Sequence, residues 1–261
     1  IAQDGGRPQA GCSKSCCIGL ATNEHSFPTS LGIIGQDKLH IIDVTRNLGN
    51  QLHYLDNQVP DEVWITHAHI GHVDGLGLFG RETMNVRGAK LHISNHMLEL
   101  INQTPHWQIM LEQGVFSIDK ISNGESSQQT GFSITPILVP HRSELSDTHA
   151  FIIRGENKSL LYLPDHDSWD KTLALYGMNT IREWLASMNV DIALIDGTFW
   201  SYDELSERNQ QVVPHPPIKQ TIEMLGYNQH GDPDIIFFHL NHTIPVYDEW
   251  SEEHTQVLEM G

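Results

Sequence analysis

The stretch that most constrains this chain is Val63-Trp64-Ile65-Thr66-His67-Ala68-His69-Ile70-Gly71-His72-Val73-Asp74-Gly75. An apolar, β-prone run delivers three histidines, His67, His69 and His72, into a turn that contains a glycine. Residues two apart on a strand project to the same side, so His67 and His69 converge on one point. The turn at Gly71 then brings His72 to the same region. Neutral imidazoles are the commonest protein ligands of zinc and related metals. The triplet directly after a strand therefore predicts a metal site. The plainer reading, a polar loop in a chain with 17 histidines, leaves both the spacing and the position unexplained.

Apolar runs and their breaks predict strands over 31–34, 39–44, 63–66, 90–93, 132–139, 150–154, 159–163, 190–195 and 234–240. Helices are expected over 45–55, behind the histidine loop from Leu76, from Asn95, over 168–188 and over 217–225. Residues 103–131 read as hairpins and a long loop, and residues 200–217 as a polar, Pro-rich loop suited to a lid. The two patterns interleave without a repeat or a linker. One domain over 1–261 is expected, opened by a Gly- and Cys-containing loop over 1–30.

The informative pattern is positional. Strand-like runs end in Asp43, His67/His69, His141, Asp165, Asp196 and His242. Strands sharing a direction gather such ends along one sheet edge, where open α/β proteins bind their ligands. Four or five imidazoles and a carboxylate exceed what one tetrahedral ion needs. Two ions bridged by Asp165 use the set economically, with His67, His69 and His141 on one and His72 and His242 on the other. His239 is read as a buried neighbour of this set. Asp43 and Asp196 are expected to orient ligand imidazoles, and Arg142 to clamp a substrate carboxylate or phosphate. Cys12, Cys16 and Cys17 are too few and too close for a disulfide framework. A structural metal, with His25 as a fourth donor, one local disulfide and free thiols all stay open for them.

Charge narrows the partners. The formal net charge is −18, from 33 acidic and 15 basic residues, which repels phosphate backbones and argues against general nucleic-acid binding. Metal ions make a local positive spot on such a body, suited to a small anionic or polarisable substrate. No apolar run approaches the length of a membrane span. The start at Ile1 is read as a processed or trimmed soluble form. An exported periplasmic location and a cytoplasmic one both stay open, as does the oligomeric state.

Thr66-His67-Ala68-His69-Ile70-Gly71-His72, His141, Asp165 and His242, in this order, resemble the metallo-β-lactamase superfamily. The nearest branch is that of the coenzyme PQQ synthesis protein B-like proteins. Ala2-Gln3-Asp4-Gly5-Gly6, Pro8-Gln9, Gly11-Cys12, Leu163-Pro164-Asp165 and His239-Leu240-Asn241-His242-Thr243 carry that second likeness. The resemblance implies an αββα sandwich, α/β in class, of two mixed sheets flanked by helices, with a metal site at one edge. It also implies a zinc hydrolase, with one or two ions, in which metal-bound hydroxide attacks an ester, lactone or phosphodiester of a small molecule. Asp165 would bridge the ions, while Arg142 or His239 positions substrate or donates a proton. Iron or manganese remain open. The branch implies an alternative, iron-dependent hydroxylation, and a non-catalytic metal-binding protein is a third reading. Gly71 stands where most of the superfamily has an aspartate, which removes a carboxylate from the second metal position. Asp74, two residues past His72, is expected beside the ligands and not among them.

Overall fold

Alternating apolar residues dictate the layers. Among the residues that the computed structural model describes, 1–204 and 213–260, two β-sheets stack face to face. The first has the order β1 (Leu31–Ile34), β2 (Leu39–Ile42), β3 (Glu62–Trp64), β4 (Ala89–Ile93) and β5 (Phe116–Lys120). The second runs β6 (Ser127–Gln129), β7 (Phe132–Val139), β8 (Thr148–Gly155), β9 (Ser159–Leu163), β10 (Ile192–Asp196) and β11 (Asp234–Phe238) from one edge to the other. Ile42 and Trp64 from the first sheet meet Ile134, Phe151, Tyr162 and Phe238 from the second in an inner core.

The opposite faces are covered by helices. Val63, Leu91 and Ile93 of the first sheet pack with Leu48, Met97, Ile101 and Met110. These come from α1 (Leu48–Gln51), α3 (Asn95–Gln103) and α4 (Pro105–Glu112), while α2 (Ile70–Val73) lies in the histidine loop. Leu161, Leu163, Ala193 and Ile195 of the second sheet pack with Trp169, Leu173, Trp184 and Leu185, from α5 (Trp169–Tyr176) and α6 (Ile181–Met188). Leu225 of α7 (Ile218–Leu225) joins them, and α8 (Glu252–Met260) closes the chain. Trp64, Trp169 and Trp184 are almost wholly buried, and truncating such a side chain costs about 3–5 kcal/mol. The architecture is the expected αββα sandwich.

Three expectations change. The helix over 168–188 is two helices: Gly177 takes φ 64° and ends α5, and Thr180 caps α6 in a reciprocal capping box with Glu183. The supposed loop over 103–131 contains α4, started by Pro105 in its first turn, as well as β5 and β6. The helix expected over 45–55 shrinks to α1 followed by a 3₁₀ turn over Leu52–Leu55. The lid reading of 200–217 falls partly on 205–212, outside the described residues.

Strand direction positions the site. β2, β3 and β4 are mutually parallel, as are β9, β10 and β11. β7 is antiparallel to β8, and β8 to β9, so β7 shares the direction of β9. The carboxyl ends of β2, β3, β7, β9, β10 and β11 deliver Asp43, His67, His141, Asp165, Asp196 and His239 respectively. No described helix is long and apolar enough to cross a membrane.

Candidate metal centre

Two carboxylates organise the histidines, one from each sheet. Asp43 follows β2 with a left-handed backbone, φ 60°. Its Oδ1 accepts from the Thr66 amide at 2.9 Å, and its Oδ2 pairs with His72 Nδ1 at 2.8 Å. The Thr66 hydroxyl donates to the same carboxylate at 2.9 Å and lies 2.9 Å from His67 Nδ1. Since that hydroxyl has one proton, already given to Asp43, it accepts from His67 Nδ1–H. His67 Nε2 is thereby left with its lone pair exposed to the site.

The second sheet repeats the device. Asp196 accepts from the Thr198 amide and hydroxyl at 3.0 and 2.7 Å and pairs with His215 Nδ1 at 2.7 Å. The Thr198 hydroxyl lies 2.8 Å from His239 Nδ1. Both aspartates and both threonines are buried. Each pair fixes two rings through Nδ1 and aims Nε2 inward, the arrangement by which outlying carboxylates orient metal-binding imidazoles.

The result is a closed ring of six imidazoles. Neighbouring centroids are 4.4 Å apart for His67–His69, 5.0 Å for His69–His141, 5.2 Å for His141–His215, 5.8 Å for His215–His239, 5.5 Å for His239–His72 and 4.3 Å for His72–His67. Asp165 stands among them, its Oδ2 3.2 Å from His72 Nε2 and 3.6 Å from His239 Nε2, its Oδ1 3.7 Å from His141 Nε2 and 3.9 Å from His215 Nε2. Asp4 adds a second carboxylate, with Oδ1 3.2 Å from His72 Nε2 and 3.4 Å from His239 Nε2. His67, His69 and His141 bring one ligand atom each within 4.8 Å of one another, and so do Asp4, His72 and His239.

These donors fit a cation. Arg142 Nη2 lies 3.1 Å from His69 Nδ1, and His69 Nδ1 lies 2.8 Å from His67 Nε2, so these ring nitrogens converge on one point. His69 Nε2 and both nitrogens of His141 are buried without a hydrogen-bond partner, which costs stability unless something binds them.

Electrostatics match. Burial, with the nearby His72 cation, drives the His67 imidazolium well below its ordinary pKa. Burial and Arg142 push His69 down to about 4. Both rings are neutral, ligand-ready bases at pH 7. His72 goes the other way: burial opposes its charge, but Asp43 and Asp165 hold its pKa well above the ordinary value. Burial resists ionisation of Asp165, and the surrounding histidines, His239 and His72 foremost, overcome it and hold the carboxyl well below the carboxylate range. His239, like Asp43, has a left-handed backbone, φ 59°. Such non-glycine conformations cost about 1–3 kcal/mol each and cluster where geometry serves a site.

Some sequence expectations are corrected. His242 does not join His72. Its Nδ1 lies 3.5 and 3.3 Å from Cys16 and Cys17 Sγ. The left-handed turn at His239 puts that residue into the ring instead, at the place expected of His242. Asp74 turns outward to Arg46, at 2.9 Å. His25, one open candidate for a fourth donor to the thiols, ends a 3₁₀ turn and is exposed, and His242 stands in that place. Those thiols do come together: Cys12, Cys16 and Cys17 and His242 Nδ1 form one group within 4.8 Å.

Asp4, His215 and Thr198 carried no strand-end signal and were not anticipated. For His215 a signal existed in Pro214-His215-Pro216-Pro217, whose fixed φ angles suit a rigid segment better than a lid.

A family profile described as Beta-lactamase superfamily domain matches residues 41–239. The coenzyme PQQ synthesis protein B of Xanthomonas campestris pv. campestris (strain B100) is 26% identical over 224 residues, 80% of this chain and 72% of that protein. The same protein of Pseudomonas putida (strain F1) is 28% identical over 182 residues, 62% of this chain and 55% of its own. Among solved structures, Zn(2+)-bound PqqB from Methylobacterium extorquens superposes with a TM-score of 0.72 at 18% identity, covering 100% of this chain and 93% of that one. A diphosphatase from the PhnP family gives 0.64 at 16% identity, with 94% and 85% coverage.

Proposed function

The chain belongs to the metallo-β-lactamase superfamily, and on that premise we propose that it is a metal-dependent hydrolase of a small anionic ester or phosphodiester. The convergence of His67, His69 and His141, one ligand atom each within 4.8 Å of one another, inside a ring of buried imidazoles around Asp165, carries the reading. His67, His69 and His141 would hold one ion, and His72 and His239 a second, with Asp165 between them. Zinc suits the imidazole-rich first set. At these residues a divalent ion, when bound, would supply a water of pKa about 7 and polarise the bond under attack.

The chain's own groups do the rest. Asp165 is ionised, and its carboxylate, beside His72 and His239, would help hold the ions and orient an attacking water. Asp43 and Asp196 keep the rings in one tautomer. Arg142 is about one-third exposed, and its Nε is buried without a partner. Its Nη1 lies 4.0 Å from Glu144 and its Nη2 beside His69, so it is a cationic donor at the rim of the ring that could exchange Glu144 for a phosphate or carboxylate. Its position beside His69 would place the anionic part of a substrate next to the reacting centre, which supports an anionic substrate class. Cys12, Cys16, Cys17 and His242 would hold a separate, structural zinc, since three sulfurs and an imidazole make a closed tetrahedral set.

The test is metal analysis of the purified protein, with assays on phosphodiesters, lactones and arylesters. Zinc at the strand ends and turnover of one class are expected. His67→Ala should lose at least ~10³-fold in kcat/KM, since several kcal/mol of metal assistance is at stake, while its far-UV spectrum is unchanged. Iron with oxygen consumption and no hydrolysis would replace this reading by the oxidative one. Metal without any turnover would replace it by a non-catalytic role.

A further inference from the structure

Gly71 is the residue that departs from the superfamily pattern, and its backbone gives no reason to be glycine. It lies in α2 without a left-handed φ. What excludes a side chain is another side chain. A Cβ at residue 71 would stand 2.3 Å from Asp4 Cγ and 2.5 Å from both Asp4 Cβ and Oδ1. The Asp4 carboxylate therefore fills the space into which a residue-71 side chain would project.

The N-terminal segment is bound where this requires. Ala2 bridges in parallel to Leu240. The Gln3 amide donates to Leu240 O at 2.8 Å, and the Leu240 amide to Ile1 O at 3.1 Å. Ala2 is fully buried, with its carbonyl accepting from Thr29 Oγ1 at 2.9 Å. This pairing sets residue 4 beside residue 239. Asp4 Oδ1 then reaches both His72 and His239 Nε2.

We infer that Asp4 supplies, from the N-terminal segment, the carboxylate that position 71 lacks, so that the second divalent-ion position is built from Asp4, His72, His239 and Asp165. The inference rests on the proposal that the strand ends hold metal. Gly71 then opens no coordination site: it makes room for a ligand from elsewhere in the chain.

Metal content and Mn(II) electron paramagnetic resonance test this without reference to turnover. The unaltered protein loaded with manganese should show two exchange-coupled ions at the strand ends. Asp4→Ala should lose one of them, leaving an uncoupled signal and at least ~10-fold weaker uptake of the second ion. Gly71→Ala should lose the same ion with Asp4 still present, because its methyl group displaces the carboxylate. Asp4→Gly combined with Gly71→Asp should regain the second ion, since removing the Asp4 Cβ frees the space. That rescue also excludes misfolding as the cause of the single-variant losses. Retention of two coupled ions by both Asp4→Ala and Gly71→Ala overturns the inference while leaving the metal centre intact. An unaltered protein that takes up no ion at the strand ends fails the parent reading instead.

Discussion

The strand-end ring and the thiol group are two clusters of metal-type donors, assembled by opposite means. The ring and the aspartates that orient it draw their residues from six strand ends, the N-terminal segment and the loop before α7, and the ring's donors are nitrogen and oxygen. The thiol group takes three donors from six consecutive residues and one, His242, from the turn after β11, and its donors are mostly sulfur. The ring is almost wholly buried, whereas Cys12, Cys16 and His242 are partly exposed. Soft thiolates in a complete set suit a permanent structural ion, while imidazoles and carboxylates with a partly exposed arginine at the rim suit exchangeable water and substrate. The difference teaches that donor count does not mark a reactive centre. Donor type and an open side do.

The largest effect should separate the two clusters. Cys16→Ser with Cys17→Ser should lose the thiol-bound ion and lower thermal stability by about 2–4 kcal/mol, the worth of a covalent cross-link. That corresponds to roughly 5–15 °C in a chain of this size, read by calorimetry. Metal at the ring should be unchanged. Loss of both ions together would break the comparison.

Asp43→Asn should weaken the ring's metal affinity by about 10–100-fold, measured by competition with a chelator. It leaves His72 without its carboxylate partner but removes no ligand. The thiol ion should not respond.

Proton counting sharpens the contrast further. Burial and the neighbouring thiols raise Cys16 to about 11, so this thiol is protonated at pH 7 and must release its proton when an ion binds. His69, at about 4, has already lost its proton. Zinc uptake by the thiol group should therefore strengthen by about tenfold per pH unit for each proton released, throughout the neutral range. Protons should begin to compete at His69 only as pH falls towards 4. Calorimetric titration in buffers of different ionisation enthalpy reads both counts.

The smallest effect belongs to Asp74→Asn. This residue pairs with the half-exposed Arg46, and such surface pairs contribute up to about 1 kcal/mol. Metal content and turnover should stay at their original values. A loss of metal would mean that Asp74 acts on the ring after all.

Much of this was legible in the residues alone, for local reasons. The motif from Thr66 to His72, with His141 and Asp165, carried the resemblance to the superfamily and thereby its layers, and the strand-end spacing marked four of the six ring imidazoles. Asp43 and Asp196 were legible as orienting carboxylates because each follows an apolar strand. Only the tertiary structure decided the rest. His239 enters the ring and His242 leaves it because a left-handed φ at His239 turns the chain, and strand periodicity does not extend past such a turn. His215 arrives on a Pro-flanked loop, and Asp4 by a backbone bridge to a residue 238 positions away in sequence. Contacts of that separation have no local pattern, since the two segments meet only after both sheets have stacked. Gly71 shows the division most plainly: its missing side chain is visible in the sequence, and the carboxylate that takes its place is visible only in the fold.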